Sequence, residues 1–225
     1  MNVAVIIPAL NEAGNIRRLL TQIQPDIATD IIVVDNGSTD ATADEARAAG
    51  ATVISEPRRG YGYACAAGVA AASADILAFL DGDGSFDPAQ LHELVMPIVE
   101  GRADLVLGTR MAGGLEAGAM PPHQLFGNKL VSGLMRLLYK VQITDLGPYR
   151  AIRRGLLASL NMREMTFGWP TEMMVKAARR HAHIVEIPVS YRKRWSGKSK
   201  VSGTLRGTLL ATYYILGTTL RYAFH

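Results

Sequence analysis

The chain has 225 residues, 48% hydrophobic and 20% charged, with a formal net charge of +4. This composition excludes a disordered or low-complexity chain and leaves room for a large buried core. The mild positive balance suits an anionic ligand or an anionic membrane surface and argues against a nucleic-acid partner, while the single cysteine, Cys65, excludes an intrachain disulfide.

The N-terminus, Met1-Asn2-Val3-Ala4-Val5, lacks a basic region and a cleavage site and runs straight into an apolar segment. No signal peptide is expected, which points to a cytoplasmic location. No apolar stretch reaches the roughly 20 residues needed to span a bilayer. The longest candidate, 207–220, is bracketed by Arg206 and Arg221. It suits a helix lying on a membrane surface or packed against the protein.

Strand-like runs fall at 3–7, 31–34, 52–55, 76–80 and 105–108, with helix patterns at 15–23, 41–49, 61–72 and 89–99 between them. This alternation predicts an α/β fold with a doubly wound, mostly parallel sheet. The strands are apolar throughout, as expected for burial on both faces. Beyond a glycine- and proline-bearing loop at 110–122, a helix is predicted at 125–139, a short strand at 149–152 and a helix at 171–180. A strand at 185–189, a basic loop at 192–200 and a C-terminal helix complete the chain. No repeat or linker interrupts it, so a single domain over 1–225 is expected.

The most informative segment is Leu80-Asp81-Gly82-Asp83-Gly84. It follows a buried strand and places two hard carboxylate ligands at the carboxyl edge of the sheet, where open α/β folds bind ligands. Asp81 and Asp83 in that position suit Mg or Mn bridged to a substrate phosphate. Gly82 and Gly84 allow close backbone approach. A solvated Asp-Gly turn is the plainer alternative. Three more segments end strands on the same edge: Pro8-Ala9-Leu10-Asn11-Glu12, Asp35-Asn36-Gly37-Ser38-Thr39-Asp40 and Pro57-Arg58-Arg59-Gly60-Tyr61-Gly62. Asp35 suits hydrogen bonds to a ribose or base; the alternative is a turn or helix cap, with Ser38, Thr39 and Asp40 as other caps. Gly60 and Gly62 suit close approach to a nucleotide. The loop Arg192-Lys193-Arg194-Trp195-Ser196-Gly197-Lys198-Ser199-Lys200 is a donor-rich anion clamp or a basic loop near an acidic membrane. His92, His123, His181, His183 and His225 show no metal-ligand spacing. Cys65 and the pair Met173-Met174 suit core packing.

Together these segments resemble family 2 glycosyltransferases of the GT-A fold, most nearly the dolichyl-phosphate mannosyltransferase and glucosyltransferase group. The resemblance implies a nucleotide-binding half over about 1–110 and an acceptor half over about 111–225. It implies a UDP- or GDP-hexose donor lined by Pro8, Ala9, Glu12, Asp35 and Gly60, with Mg or Mn on Asp81 and Asp83 and an added oxygen from Ser85. Arg110 becomes a phosphate or acceptor contact. Arg192, Arg194, Ser199 and Lys200 become contacts to the donor diphosphate or an acceptor phosphate. Asp145, in Asp145-Leu146-Gly147-Pro148-Tyr149-Arg150, is the first choice to hold sugar hydroxyls or act as general base, with Glu172 next. Trp195 anchors the loop on a membrane or caps the sugar.

An inverting transfer follows, with Asp83 and Arg194 acting on the leaving group. The implied acceptor is a polyprenyl phosphate at the cytoplasmic face of a membrane, which needs no strong base. A small-molecule or polysaccharide hydroxyl is the alternative, and would need one. A sugar-1-phosphate nucleotidyltransferase is disfavoured, because no Gly-x-Gly-x-Arg loop follows the first strand. The intact Asp pair and the basic loop disfavour a non-catalytic scaffold.

Overall fold

A computed structural model describes residues 1–197 and 205–223. Successive residues of β1 (Val3–Ala9) belong to opposite sides of the sheet: Val3, Val5 and Ile7 join one buried cluster, Ala4 and Ile6 the other. This is the two-residue period of a strand buried on both faces. On the first face lie α1 (Ala13–Leu20), α2 (Thr42–Ala48) and α4 (Leu91–Val99), through Ile16, Leu19, Ala46 and Leu94. On the second lie α3 (Tyr61–Ala71), α5 (Pro122–Tyr139), α6 (Arg154–Leu160) and α7 (Trp169–Arg179), through Cys65, Met135, Leu157 and Met173.

The remaining strands are β2 (Asp30–Asp35), β3 (Thr52–Ser55), β4 (Ile76–Phe79), β5 (Leu105–Thr109), β6 (Arg150–Arg153) and β7 (Ile184–Pro188). Their order is β3-β2-β1-β4-β6-β5-β7. The expected mostly parallel sheet is present, with one difference: β6 runs antiparallel between β4 and β5. An antiparallel strand needs no crossover helix, so the chain returns into the gap directly. The strand order reverses between β1 and β4, which opens a crevice at their carboxyl ends.

Helix α6 has no counterpart in the predicted elements. It spans only two turns, beginning Arg154-Gly155 and ending at Asn161, whose φ of 48° stops it. Helix α8 (Leu205–Arg221) packs on α5 and α7. No described helix is long and apolar enough to cross a membrane.

One buried acid ties the second face together. The Glu172 carboxylate accepts the Arg163 and Glu164 amides at 2.8 and 2.7 Å, the Tyr222 hydroxyl, and the Lys176 ammonium at 2.8 Å. Burial pushes its pKa up, but hydrogen bonds from Lys176, Tyr222 and the two amides outweigh this and hold it below the usual value. The loop it anchors lies across the start of α3: a Cβ on Gly62 would come within 2.5 Å of Met165 Cα. Glu172→Gln should cost about 2–3 kcal/mol, a Tm loss of roughly 5–10 °C in a chain this size. A depressed carboxylate stabilises above its unfolded pKa and loses that contribution as pH falls through its folded value. The Tm gap between wild type and variant should therefore close below about pH 4, by thermal melts across pH.

Candidate active site

At the carboxyl edge, Ala9 of β1 lies opposite Asp35 of β2, and Pro8 opposite Val34. Asp35 Oδ1 accepts the Ser38 amide at 2.9 Å, so the turn alternative is realised while the residue stays at the edge. Asp40 receives the amides of Thr42 and Ala13 and joins the two strand-end loops. Asn36 is consumed by the Glu56 and Arg58 carbonyls and the Gly60 amide. The close approach at Gly60 and Gly62 is not made to open space. A Cβ on Gly60, whose φ is 152°, would sit 2.4 Å from the Met165 carbonyl oxygen, and the Tyr63 amide donates to that same carbonyl. The close approach seen at both glycines is to the backbone around Met165.

Asp81 and Asp83 follow β4 at the centre of this edge. Burial and the neighbouring Asp83 charge push the Asp81 carboxyl up to about 7. The Tyr61 hydroxyl faces Asp81 Oδ1 at 3.4 Å, and burial raises the phenol well above its usual pKa, keeping it a donor. No group of three His, Cys, Asp or Glu placed to hold a metal ion occurs among the described residues. The pair therefore suits a divalent ion whose other ligands are substrate phosphate and water, as Mg commonly binds. Ser85, expected as a third ligand, holds the turn instead. Its amide donates to Asp83 Oδ1 at 2.9 Å, and its carbonyl accepts the Arg192 amide at 2.8 Å. Gly82 packs beneath Ile7 and Ile16.

Beyond β5, Arg110 is held in one orientation. Its amide and Nε donate to Asp145 Oδ2 at 2.7 Å, and Nη2 donates to Oδ1 at 2.6 Å. Asp145 is fully buried, and Glu186 accepts its amide at 3.0 Å. Arg110 lies 5.0 Å over the Tyr191 ring. Asp145, expected as general base, stands here as the holder of Arg110, with both oxygens in a guanidinium fork. Glu172, the other candidate acid, is a buried scaffold residue.

The basic loop folds down onto the same edge. Arg194 Nη2 donates to both oxygens of Glu12, and Nη1 stands 3.7 Å from Asp83 Oδ2. Arg192 pairs with Asp87 at 2.6 Å. Trp195 packs inward against the core. A Cβ on Gly84 would come 2.3 Å from its ring, and Arg18 stacks on it at 4.2 Å. Ser199 and Lys200 lie outside the described residues.

A cavity of about 430 Å³ opens beside Asp81, Asp83, Arg110, Tyr61 and Tyr191. It continues between α5 and α8, where Phe126, Leu130, Val131, Ala211, Ile215 and Leu216 line it. Tyr61, Tyr191 and Glu186 were missed in the sequence. Only the position of Tyr61 between Gly60 and Gly62 marks one of them there.

Residues 4–160 match the family described as Glycosyl transferase family 2. This chain is a family 2 glycosyltransferase. The transferase is 41% identical over 210 residues to an uncharacterized glycosyltransferase of Mycobacterium tuberculosis, covering 93% of this chain and 94% of the relative. It is 29% identical to the undecaprenyl-phosphate mannosyltransferase of Micrococcus luteus, covering 99% and 96%. Its fold matches glucosyl-3-phosphoglycerate synthase of Mycobacterium tuberculosis, solved with Mn2+, UDP and phosphoglyceric acid. The TM-score is 0.80 at 25% identity, over 99% of this chain and 78% of that one.

If Asp145 acts through Arg110, Asp145→Asn and Arg110→Ala should each cut kcat/KM by about 10- to 100-fold, and the double variant no further. The kcat–pH profile of Asp145→Asn should keep its shape; a lost acid-side pKa would restore the role of base.

Proposed function

We propose that this transferase moves a hexose from a UDP- or GDP-linked donor to the phosphate of a polyprenyl lipid, inverting the anomeric carbon. The observation that carries this reading is the cavity. Its polar end is Asp81, Asp83 and Arg110, its other end is an apolar groove between two helices, and Asp81 and Asp83 are the acids among the described residues that line it. An acceptor hydroxyl needs a base there, a place that His123 of the same lining would have to fill, whereas a phosphate oxygen is already ionised. The likeness to an undecaprenyl-phosphate mannosyltransferase supports the same acceptor class.

On this reading the work divides along the chain. Residues of about 1–110 hold the donor, with Pro8, Ala9 and Asp35 on the β1–β2 side of Asp81 and Asp83. Residues of about 111–225, with the cavity, hold the acceptor. Mg or Mn on Asp81 and Asp83 would offset charge on the leaving diphosphate. Arg110 holds the acceptor phosphate and Arg194 faces the donor phosphates. One phosphate oxygen forms a bond to the anomeric carbon while the bond to the nucleoside diphosphate breaks on the opposite face. No proton needs to move.

Helices α5 and α8 also support peripheral contact with the cytoplasmic face of a membrane. Phe126, Leu137, Leu209 and Tyr213 are 71%, 74%, 61% and 71% exposed. Exposed Lys129, Arg136, Lys140 and Arg221 lie on or beside the same helices. Apolar side chains among cations are the pattern of an interfacial helix pair.

Two measurements test this. Labelled UDP- and GDP-hexoses, incubated with Mn or Mg and a polyprenyl phosphate, should pass label to the organic phase with one donor. Chelator and Asp83→Ala should abolish the transfer. Label transferred to a hydroxyl acceptor such as phosphoglyceric acid, and not to the lipid, overturns the acceptor class. In flotation with anionic vesicles, a Phe126→Ser, Leu137→Ser double variant should bind at least about tenfold more weakly than wild type.

A further inference from the structure

Glu12 and Arg194 lie 182 positions apart and take up most of each other's bonding capacity. Both Glu12 oxygens accept from Arg194 Nη2, at 2.8 and 2.7 Å. Arg194 Nε donates to the Ser196 carbonyl at 2.6 Å. Ser196 is itself fixed on α1, its hydroxyl bonded to Asn15 Oδ1 at 2.8 Å, and Asn15 Nδ2 donates to Glu12 Oε2 at 2.6 Å. A guanidinium has five N–H groups. Three of them are directed by Glu12 and Ser196. The other two, on Nη1, face Asp83 Oδ2 at 3.7 Å, beyond hydrogen-bond reach. The side chains of Arg194 and Glu12 are only 14% and 8% exposed, so neither swings freely.

We propose that Glu12 is a positioning residue: it aims Nη1 of Arg194 at the donor's phosphate groups beside Asp83 and does not itself hold the base or ribose. The inference rests on the nucleoside-diphosphate donor proposed above. Arginine binds phosphate directionally, so a fixed guanidinium binds better than a free one. With both oxygens engaged, Glu12 has little capacity left for ribose hydroxyls. Ala9 at the end of β1, opposite Asp35 of β2, gives the nucleoside another place to sit.

The test is a double-mutant cycle in the full chain, reading affinity for UDP and GDP with Mn by calorimetry. Glu12→Gln keeps the shape of the side chain and removes its charge. It should weaken binding of the preferred diphosphate about tenfold, the scale of one charge-assisted hydrogen bond. Adding it to Arg194→Ala should cost nothing further. Binding of the matching nucleoside, uridine or guanosine, by ligand-detected NMR should stay within about twofold of wild type, because no phosphate contact is involved. A further loss in the double variant, a weakened nucleoside, or unchanged diphosphate affinity in Glu12→Gln each overturns the positioning role. Failure of wild type to bind either diphosphate instead overturns the donor reading. Should Glu12→Gln not fold by thermal melt, Asn15→Ala removes the buttress and should give the same pattern, a diphosphate loss with nucleoside binding kept; an unchanged diphosphate affinity there overturns the proposal.

Discussion

Burial at a strand end, together with the repulsion between two neighbouring like charges, lifts Asp81 to about 7. Nearby positive charge opposes that rise. The fold delivers it from three strand-end positions. Arg110 follows β5, Arg194 arrives on the basic loop, and Arg150 of β6 lies buried below, interacting electrostatically with both Asp81 and Asp145. Burial pulls Arg150 down to about 10, still charged at neutral pH. Its two terminal nitrogens are held by the carbonyls of Pro170 and Gly147.

The acids of this site then sort into two kinds. Asp81 and Asp83 line the cavity. Asp145, Glu12, Glu172 and Glu186 are spent on guanidinium, ammonium, hydroxyl and amide groups of the chain itself. An ion pair held this firmly fixes direction more than it adds stability. What the second kind contributes is aim: Arg110 points where Asp145 lets it.

Sequence pattern reaches far for the first kind and poorly for the second. The strands, the sheet class and the carboxylate pair after β4 follow from local apolar runs and an Asp-x-Asp turn, features contained in a few adjacent residues. Helix α6 escaped because two turns carry too little periodicity. The antiparallel placement of β6 depends on pairing Arg150 with Phe79 across a long separation, which no local pattern encodes. The same holds for roles. Asp145 and Glu172 look like available carboxylates in the sequence, and only their distant partners, Arg110 and Tyr222, reveal that they are taken. Gly60 and Gly62 announce close approach without saying to what; the answer, Met165, lies about a hundred residues away.

The insertion of β6 also sets the order in which the sheet can be completed. Strand β5 has β6 and β7 as its neighbours, both later in the chain, and β4 waits for β6 to cover its outer edge. A ribosome that has released the first 110 residues has made β5 with neither of its partners and left β4 open on one side. Such edges are templates for association with other chains. Non-local pairing of this kind slows folding, because the intervening loop must be ordered before the pairing compensates for it. The nascent chain is therefore most exposed to misassembly in the interval between synthesis of β5 and the arrival of Arg150–Arg153.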